Sequence, residues 1–582
     1  MKNILLLLSV LFMINSSCNT QHQHAQDDMN TTFESLTVQL VHDFMTLNPT
    51  WALSIGLHTN DSTLEVLTPD LRKDKLNRYS TWADSLQSFP DDKLSMRNRM
   101  DKSMLLNYFN YFKWQSEIFK SHTWNPAEYN IGEGFDLVIN NPDATLNQKL
   151  EYVLARLYRV PAYFDNAKKQ LVNPTPEHTQ LAITQNEGSK YIFQKILPDS
   201  IAKADISDIH KKKLQDAIQS ALTEIDSYIA HLKQLQQSAQ CTRNFRIGKT
   251  LFEQKFAFDI QSSYSAEEIY NIALKRKSEI LDTMYTLAKG LWPKYFTGSM
   301  PSDTLTTIRA LTDRLSDAHP HRDSLLQTIE KQIPQLEQFI HEKQLLYLDP
   351  KKPLVVRKTP PYMDGGGAGA SINDPGPFNK NGKTYYNVSL LDKYDEQQAI
   401  SYLREYNDYI LQILNIHEAI PGHYTQLVYA NQSPSLVKSI FGNGAMIEGW
   451  AVYGERMMLE EGYGQNAPEL WLMYYKWHLR SVINTLLDYS IQCLGMSEAE
   501  AKRLMTREGF QQEAEAAGKW KRATLSQVQL CSYFTGYTEI YALREKLKAK
   551  QGKAFSLKAF HEEFLSYGSA PVPRIAEAMW NK

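Results

Sequence analysis

Leu403-Arg404-Glu405-Tyr406-Asn407-Asp408-Tyr409-Ile410-Leu411-Gln412-Ile413-Leu414-Asn415-Ile416-His417-Glu418-Ala419-Ile420-Pro421-Gly422-His423 runs from an amphipathic helix into an abrupt break. Leu403, Tyr406, Ile410, Ile413 and Leu414 recur at helical spacing and form one apolar face. That face leads into His417 and predicts that a helix carries this imidazole inward. His423 follows six positions later. In a straight helix, positions i and i+6 lie about 120° apart around the axis, whereas i and i+4 lie about 40° apart. An unbroken helix therefore cannot aim both imidazoles at one point. Pro421 removes a backbone donor and clashes with the carbonyl of residue 417. Gly422 tolerates the backbone that must follow. The expectation is a kink or a two-residue bulge that returns His423 toward His417.

A second stretch, Ile447-Glu448-Gly449-Trp450, opens a helix predicted over Ile447 to Glu460. Glu455 lies seven residues after Glu448, on nearly the same face. Two imidazoles and a later carboxylate are the donor set of a catalytic zinc site, which keeps one position open. His417, His423 and Glu448 are the expected ligands of one zinc ion. Glu418, beside the first ligand, is placed to take a proton from water and pass it to a leaving amine. Glu455 is the expected support for a ligand imidazole. Singly, a His on an apolar helix face is more often a hydrogen-bonded core residue, and a helical Glu is more often solvated. Their joint occurrence on predicted helices favours the metal.

Outward from this motif, most of the chain reads as helix. Periodic stretches occur at Leu36 to Leu47, Leu150 to Leu171, Leu214 to Leu235 and Ala266 to Leu287. Ser265 with Glu268, and Ser497 with Glu500, spell capping boxes. The fold class expected is mainly α, divided loosely into an N-terminal helical region (35–240) and a metal-site region (241–582), or interlocked as one domain. One segment differs. Asp364 to Phe378 holds Gly365-Gly366-Gly367 and Asp374-Pro375-Gly376-Pro377, and cannot be regular structure. After an Asn381-Gly382 turn signal, Lys383 to Leu390 reads as a strand. As an edge strand, it would pair with an extended peptide through Tyr385, Tyr386 and Asn387. A surface hairpin without a catalytic role is the alternative. Further on, Tyr533 is a candidate hydrogen-bond donor to a tetrahedral oxyanion. Arg544 is a candidate partner for a substrate carboxylate.

The 582 residues carry 63 Lys plus Arg against 65 Asp plus Glu, so no charge excess directs the protein to nucleic acid. Lys2 and the apolar run Ile4 to Ile14 resemble a secretory signal, too short to span a bilayer, which needs roughly 20 residues. Asn15-Ser16-Ser17-Cys18 approximates a lipobox. Residues 1–18 are therefore expected to be a lipoprotein signal, with Cys18 lipidated and 19–34 a flexible tether; an ordinary cleaved signal is the alternative. That export places the protein in the periplasm or at the outer membrane, held to the membrane only by its lipid. Cys241, Cys493 and Cys531 are too sparse for a disulfide framework or zinc knuckle.

The motif His417 to His423, then Glu448-Gly449-Trp450-Ala451-Val452-Tyr453-Gly454-Glu455, then Gln529-Leu530-Cys531-Ser532-Tyr533 with Gly536, resembles the domain-of-unknown-function-885 family of large bacterial chains, often lipoproteins. The resemblance extends to Asn48-Pro49-Thr50-Trp51-Ala52 with Gly56, and to Gly248. The family is similar to helical zinc peptidases of the gluzincin type. That likeness implies zinc at His417, His423 and Glu448, Glu418 as base, and a helical fold with a small sheet around a deep channel. One position departs: Asp488-Tyr489-Ser490-Ile491-Gln492 ends in Gln492 where the relatives usually carry His. Gln492 is a candidate substrate contact that cannot carry a proton, Asp488 a candidate orienting group, and His478 a conceivable substitute. The expected function is zinc-dependent hydrolysis of amide bonds in short peptides. The alternatives are a non-catalytic binding lipoprotein with a remnant metal site and an amidase on non-peptide amides.

Overall fold

The computed structural model describes residues 28–359, 369–379 and 382–581. The signal segment with Cys18, the triglycine 365–367 and Asn381 lie outside the described residues.

The molecule is mainly helical with one small sheet. The capping boxes at Ser265 and Ser497 both form, with each hydroxyl accepting the backbone N–H of the glutamate three residues on. The helix expected over Leu150 to Leu171 is two helices, Leu146–Leu157 and Val160–Gln170. Pro161 explains the break, because it has no N–H for the Leu157 carbonyl and its ring clashes with that carbonyl, while it is tolerated in the first turn of the second helix. Of the tether expected over 19–34, the described residues 28–34 are helical: a helix runs over 28–47, and Phe33 is fully buried.

The helices wrap two main hydrophobic cores. The smaller is built from Tyr129 to Leu235 with Leu53 and Leu64. The larger contains Phe33 to Phe109 together with Phe245 to Met579. The N-terminal segment thus crosses the expected boundary near residue 240. Phe44 packs edge-on against Phe441 at 5.0 Å, and Asp101 accepts from Ser435 at 2.6 Å and pairs with buried Lys438.

The sheet has the order β1 (Leu354–Lys358), β3 (Thr384–Val388), β2 (Ala370–Asn373). β3 pairs parallel with β1 and antiparallel with β2. It is therefore the central strand, with both edges already bonded. This corrects the expectation that β3 is an edge able to receive a peptide. Its burial, with Tyr386 and Val388 at 0% exposure, follows from that position.

Six helices build the site: α1 (Asp408–Glu418), α2 (His423–Asn431), α3 (Gly444–Glu460), α4 (Pro468–Leu494), α5 (Glu513–Leu525) and α6 (Ser532–Gln551). α3 and α6 cross at two glycines. A Cβ on Gly449 would stand 2.3 Å from the Gly536 carbonyl carbon, and one on Gly536 would stand 1.8 Å from the Ala445 oxygen. Only two glycines allow this approach, which brings Glu448 of α3 and Tyr533 of α6 toward each other. A cavity of about 1720 Å³ opens between the two cores, with His417, Glu418, Glu455 and Tyr533 on one wall and Gly132, Asn141 and Gln185 on the other.

Candidate metal centre

The helix entering the motif neither kinks nor bulges; it stops. α1 ends at Glu418 and α2 begins at His423, with Ala419 at φ −106°, ψ −87° and Gly422 at φ −70°, ψ −130°. The Ile420–Pro421 peptide is cis. A Cβ on Gly422 would lie 1.8 Å from the His417 carbonyl oxygen, so glycine is required there. Trp450 of α3 donates its indole N–H to the Pro421 carbonyl at 2.8 Å and fastens the connection to the next helix. The break resets the helical phase, so the six-residue spacing no longer separates the imidazoles. Their ring centroids are 4.7 Å apart and nearly perpendicular.

Glu448 meets them from α3. Its Oε2 lies 3.7 Å from His417 Nε2 and 3.4 Å from His423 Nε2. One donor atom from each of the three residues falls within 4.8 Å of the others. Glu448 Oε2 nevertheless has no hydrogen-bond partner among the described residues, although it is buried. Burial alone would raise this carboxyl, but the two imidazoles outweigh it and hold it well below the usual carboxylate range.

Behind the cluster, Glu455 is fully buried and accepts from His417 Nδ1 at 2.7 Å and from the Trp477 indole at 3.0 Å. A carboxylate bridging in this way places the imidazole proton on Nδ1, so Nε2 turns its lone pair toward Glu448. Burial opposes a charge on His417, yet Glu448 and Glu455 outweigh it and raise the ring's basicity. Glu418 lines the cavity beside His417. Burial raises its carboxyl, partly offset by His423 and His417. Tyr533 also lines the cavity, and Arg522 donates to its hydroxyl at 3.1 Å. Burial, then the Glu448 charge, raises its phenol.

The remaining candidates stand elsewhere. Tyr386 is buried and donates to Asn415 of α1 at 2.7 Å; it braces the ligand helix. Asn387 accepts from Arg357 at 2.7 Å, and the Arg357 guanidinium covers the Tyr385 ring at 3.8 Å. None of these three strand residues lines the cavity. Arg544 is committed to Glu460 at 2.8 Å and Glu545 at 2.9 Å and does not reach the cavity. Gln492 accepts from the Ile247 N–H at 3.2 Å and donates to the Ala523 carbonyl at 3.0 Å, tying segments together away from the cavity. His478 is buried without a hydrogen-bond partner and stacks on Tyr474 at 5.5 Å. Asp488 accepts the Leu530 N–H at 3.0 Å and so holds the turn Gln529–Cys531 that precedes Tyr533. Sequence reasoning missed Trp477 and Arg522. The basic run Lys519-Trp520-Lys521-Arg522, ahead of Tyr533, was the available signal for the second.

Solved structures share this architecture. One described as a "putative lipoprotein of unknown function" from Shewanella oneidensis has 49% sequence identity and a TM-score of 0.86, covering 94% of this chain and 99% of that one. A second, described as a "putative lipoprotein" from Colwellia psychrerythraea, has 18% identity and a TM-score of 0.79 over 95% and 100% of the two chains; it shows a shared fold. A comparison with curated proteins finds no match. Over residues 49–579 the chain matches the family described as "Bacterial protein of unknown function (DUF885)", and it belongs to that family.

Proposed function

We propose that this protein is a zinc-dependent hydrolase of amide bonds that acts on short peptides. The observation that carries the reading is the convergence of His417 Nε2, His423 Nε2 and Glu448 Oε2 beside an open cavity. Donor atoms about 2 Å from one tetrahedral ion stand roughly 3.3 Å apart, and Glu448 Oε2 stands 3.4 and 3.7 Å from the two imidazoles. A buried carboxylate oxygen without a hydrogen-bond partner at their centre is what a cation would satisfy. Two imidazoles and a carboxylate suit zinc, and also admit manganese, iron or cobalt.

When bound, zinc would supply Lewis acidity toward water and the scissile carbonyl. The chain's own groups supply the rest. Glu418, raised by burial, accepts the proton of the attacking water and returns it to the departing amine. Tyr533 accepts from Arg522 and keeps its own O–H free to donate to the oxygen that gains charge. Glu455 holds the His417 ring in one tautomer. β2, an edge strand whose Ala370 and Asn373 line the cavity, offers main-chain groups to an extended peptide. Gln492, bonded to Ile247 and Ala523 outside the cavity, takes no part in this scheme.

The reading includes export as a lipid-anchored protein of the periplasm or outer membrane, supported by the signal-like first 18 residues and by the descriptions of the two solved structures. Among the described residues no helix is long and apolar enough to cross a membrane.

The test is metal analysis of the purified mature chain together with cleavage of a mixed peptide pool, with and without chelator. Glu418→Gln should retain stoichiometric zinc and lose roughly 10²–10⁴-fold in turnover. Parental turnover in that variant would remove Glu418 from the mechanism.

A further inference from the structure

The cavity wall next to Tyr533 carries an uneven set of charges. On α4, Lys476 and Arg480 reach Glu405 at 3.1 Å each, and Arg480 also reaches Glu515 of α5 at 2.5 Å. These four groups neutralise one another. Three further cations of α5 line the cavity, Lys519, Lys521 and Arg522, of which the first and last converge on Tyr533's side of the wall. Lys519 is buried, lines the cavity, and among the described residues donates only to the neutral oxygen of Asn484 at 3.0 Å. Burial, then Arg480, pulls its ammonium down to about 7. Arg522 donates to two neutral oxygens, Gln529 Oε1 at 2.6 Å and the Tyr533 hydroxyl at 3.1 Å. It lines the cavity and is exposed. Its five N–H groups exceed these two acceptors. A buried lysine and an arginine, neither paired with a carboxylate among the described residues and both facing one cavity, form a candidate anion site.

We infer that Arg522, assisted by Lys519, binds the free C-terminal carboxylate of the peptide, and that the enzyme removes one or two residues from peptide C-termini. The inference rests on the hydrolase reading and supplies its substrate class. Its spacing follows from Tyr533. Arg522 Nη2 is 3.1 Å from the Tyr533 hydroxyl, so a carbonyl oxygen on that hydroxyl and a carboxylate oxygen on the guanidinium, each about 2.9 Å away, stand at most about 9 Å apart. An extended chain advances at most about 3.3–3.6 Å per residue. A carbonyl hydrogen-bonded to Tyr533 and a carboxylate on Arg522 are therefore separated by one or two residues. Cleavage adds water across that amide: the carbonyl carbon gains the hydroxyl, the amine takes the proton held by Glu418, and the released fragment keeps its carboxylate on Arg522. Arg544, the arginine expected for this role, already has its carboxylates in Glu460 and Glu545.

The experiment uses the zinc-loaded Glu418→Gln chain, which binds without turning over, and a random tetrapeptide pool prepared both as free acids and as C-terminal amides. Binding is read by depletion of each form in mass spectra. Free acids should bind roughly 10–100-fold more tightly than amides, the loss expected for a charged hydrogen-bonded pair. Arg522→Gln in the same background should abolish that preference, and Arg522→Lys, which keeps the charge but not the fork, should restore part of it. Equal binding of acids and amides, or no binding of free acids, overturns the inference. The parent chain separates the two claims. Equal cleavage of both forms sinks the carboxylate subsite and leaves the hydrolase standing; selective binding of acids without cleavage of either sinks the hydrolase and leaves the subsite.

Discussion

The two walls of the cavity follow opposite rules. On the chemical wall, part of the machinery is held from behind: His417 by Glu455, Glu455 by Trp477, α1 by Tyr386, and the Tyr533 turn by Asp488. The facing wall comes from the smaller core and combines glycines (Gly132, Gly188) and the amide of Asn130 with the carboxyl groups of Glu128, Glu133 and Asp136. There the hydrogen bonds serve the wall itself, as when Ser189 donates to Asn130 at 3.0 Å. Chemistry demands that ligand atoms be fixed to a fraction of an ångström, whereas enclosing a substrate demands only shape. Substitutions on the first wall should therefore disturb the metal, and stability as well where backbone packing is involved, whereas those on the second should leave the metal intact.

The largest effect belongs to Gly536→Ala. The added methyl would stand 1.8 Å from the Ala445 carbonyl oxygen, a backbone atom that cannot step aside. Overpacking of this kind costs about 1–3 kcal/mol or more. Thermal melts should show a clear fall in Tm, and bound zinc should fall with it, because the crossing positions Glu448. A variant with unchanged Tm and zinc would mean that the α3–α6 contact is slack.

Next comes Glu455→Gln. The amide can still accept from Trp477, but it no longer supplies the charge that raises the basicity of His417. Zinc affinity should drop about 10–100-fold, measured by competition with a chromogenic chelator, with little change in Tm. Undiminished affinity would show that the ring is oriented by packing alone.

The contrast between the walls also explains what could be read from the residues alone. His417, Glu418, His423, Glu448 and Glu455 were legible because helical phase and a Pro-Gly break are local properties, even though the break proved to be a full stop between helices. The role of β3 was not, because whether a strand is central depends on partners at 354–358 and 370–373. Arg544 and Arg522 look alike in one dimension. The first is neutralised by Glu460 from another helix, and the second meets only neutral oxygens. Gln492 was misplaced for the same reason: its partners, Ile247 and Ala523, are distant in the chain.

Asp488 offers a pH-dependent test of the brace behind Tyr533. Burial pushes its carboxyl up to about 7, against bonds from the Val528 and Leu530 backbone that act in the other direction. The folded chain therefore binds this proton more firmly than the unfolded chain, whose aspartate titrates near 3.9. Between about pH 4 and pH 7 the native state holds the extra proton, so this group's contribution to stability falls as pH rises and is constant above about 7. Asp488→Asn removes the titration and keeps an acceptor for Leu530. The Tm of the parent relative to the variant should decline between pH 5 and 7.5 and then level. Parallel Tm curves would show that Asp488 does not titrate in this window.

The smallest effect, and the one that most directly probes the facing wall, is Gly188→Ala. Gly188 lies within the helix Pro176–Tyr191 and lines the cavity. A Cβ there meets nothing within 4 Å. Glycine inside a helix costs roughly 0.5–1 kcal/mol relative to alanine, so the variant should melt slightly higher than the parent. Its zinc content should be unchanged, because no ligand rests on this helix. The methyl projects only into the space a substrate would occupy, so any kinetic change should appear in KM for bulky peptides and leave kcat alone. A fall in kcat or in bound zinc would mean that the smaller core reaches the reacting atoms, and the division of labour between the walls would have to be redrawn.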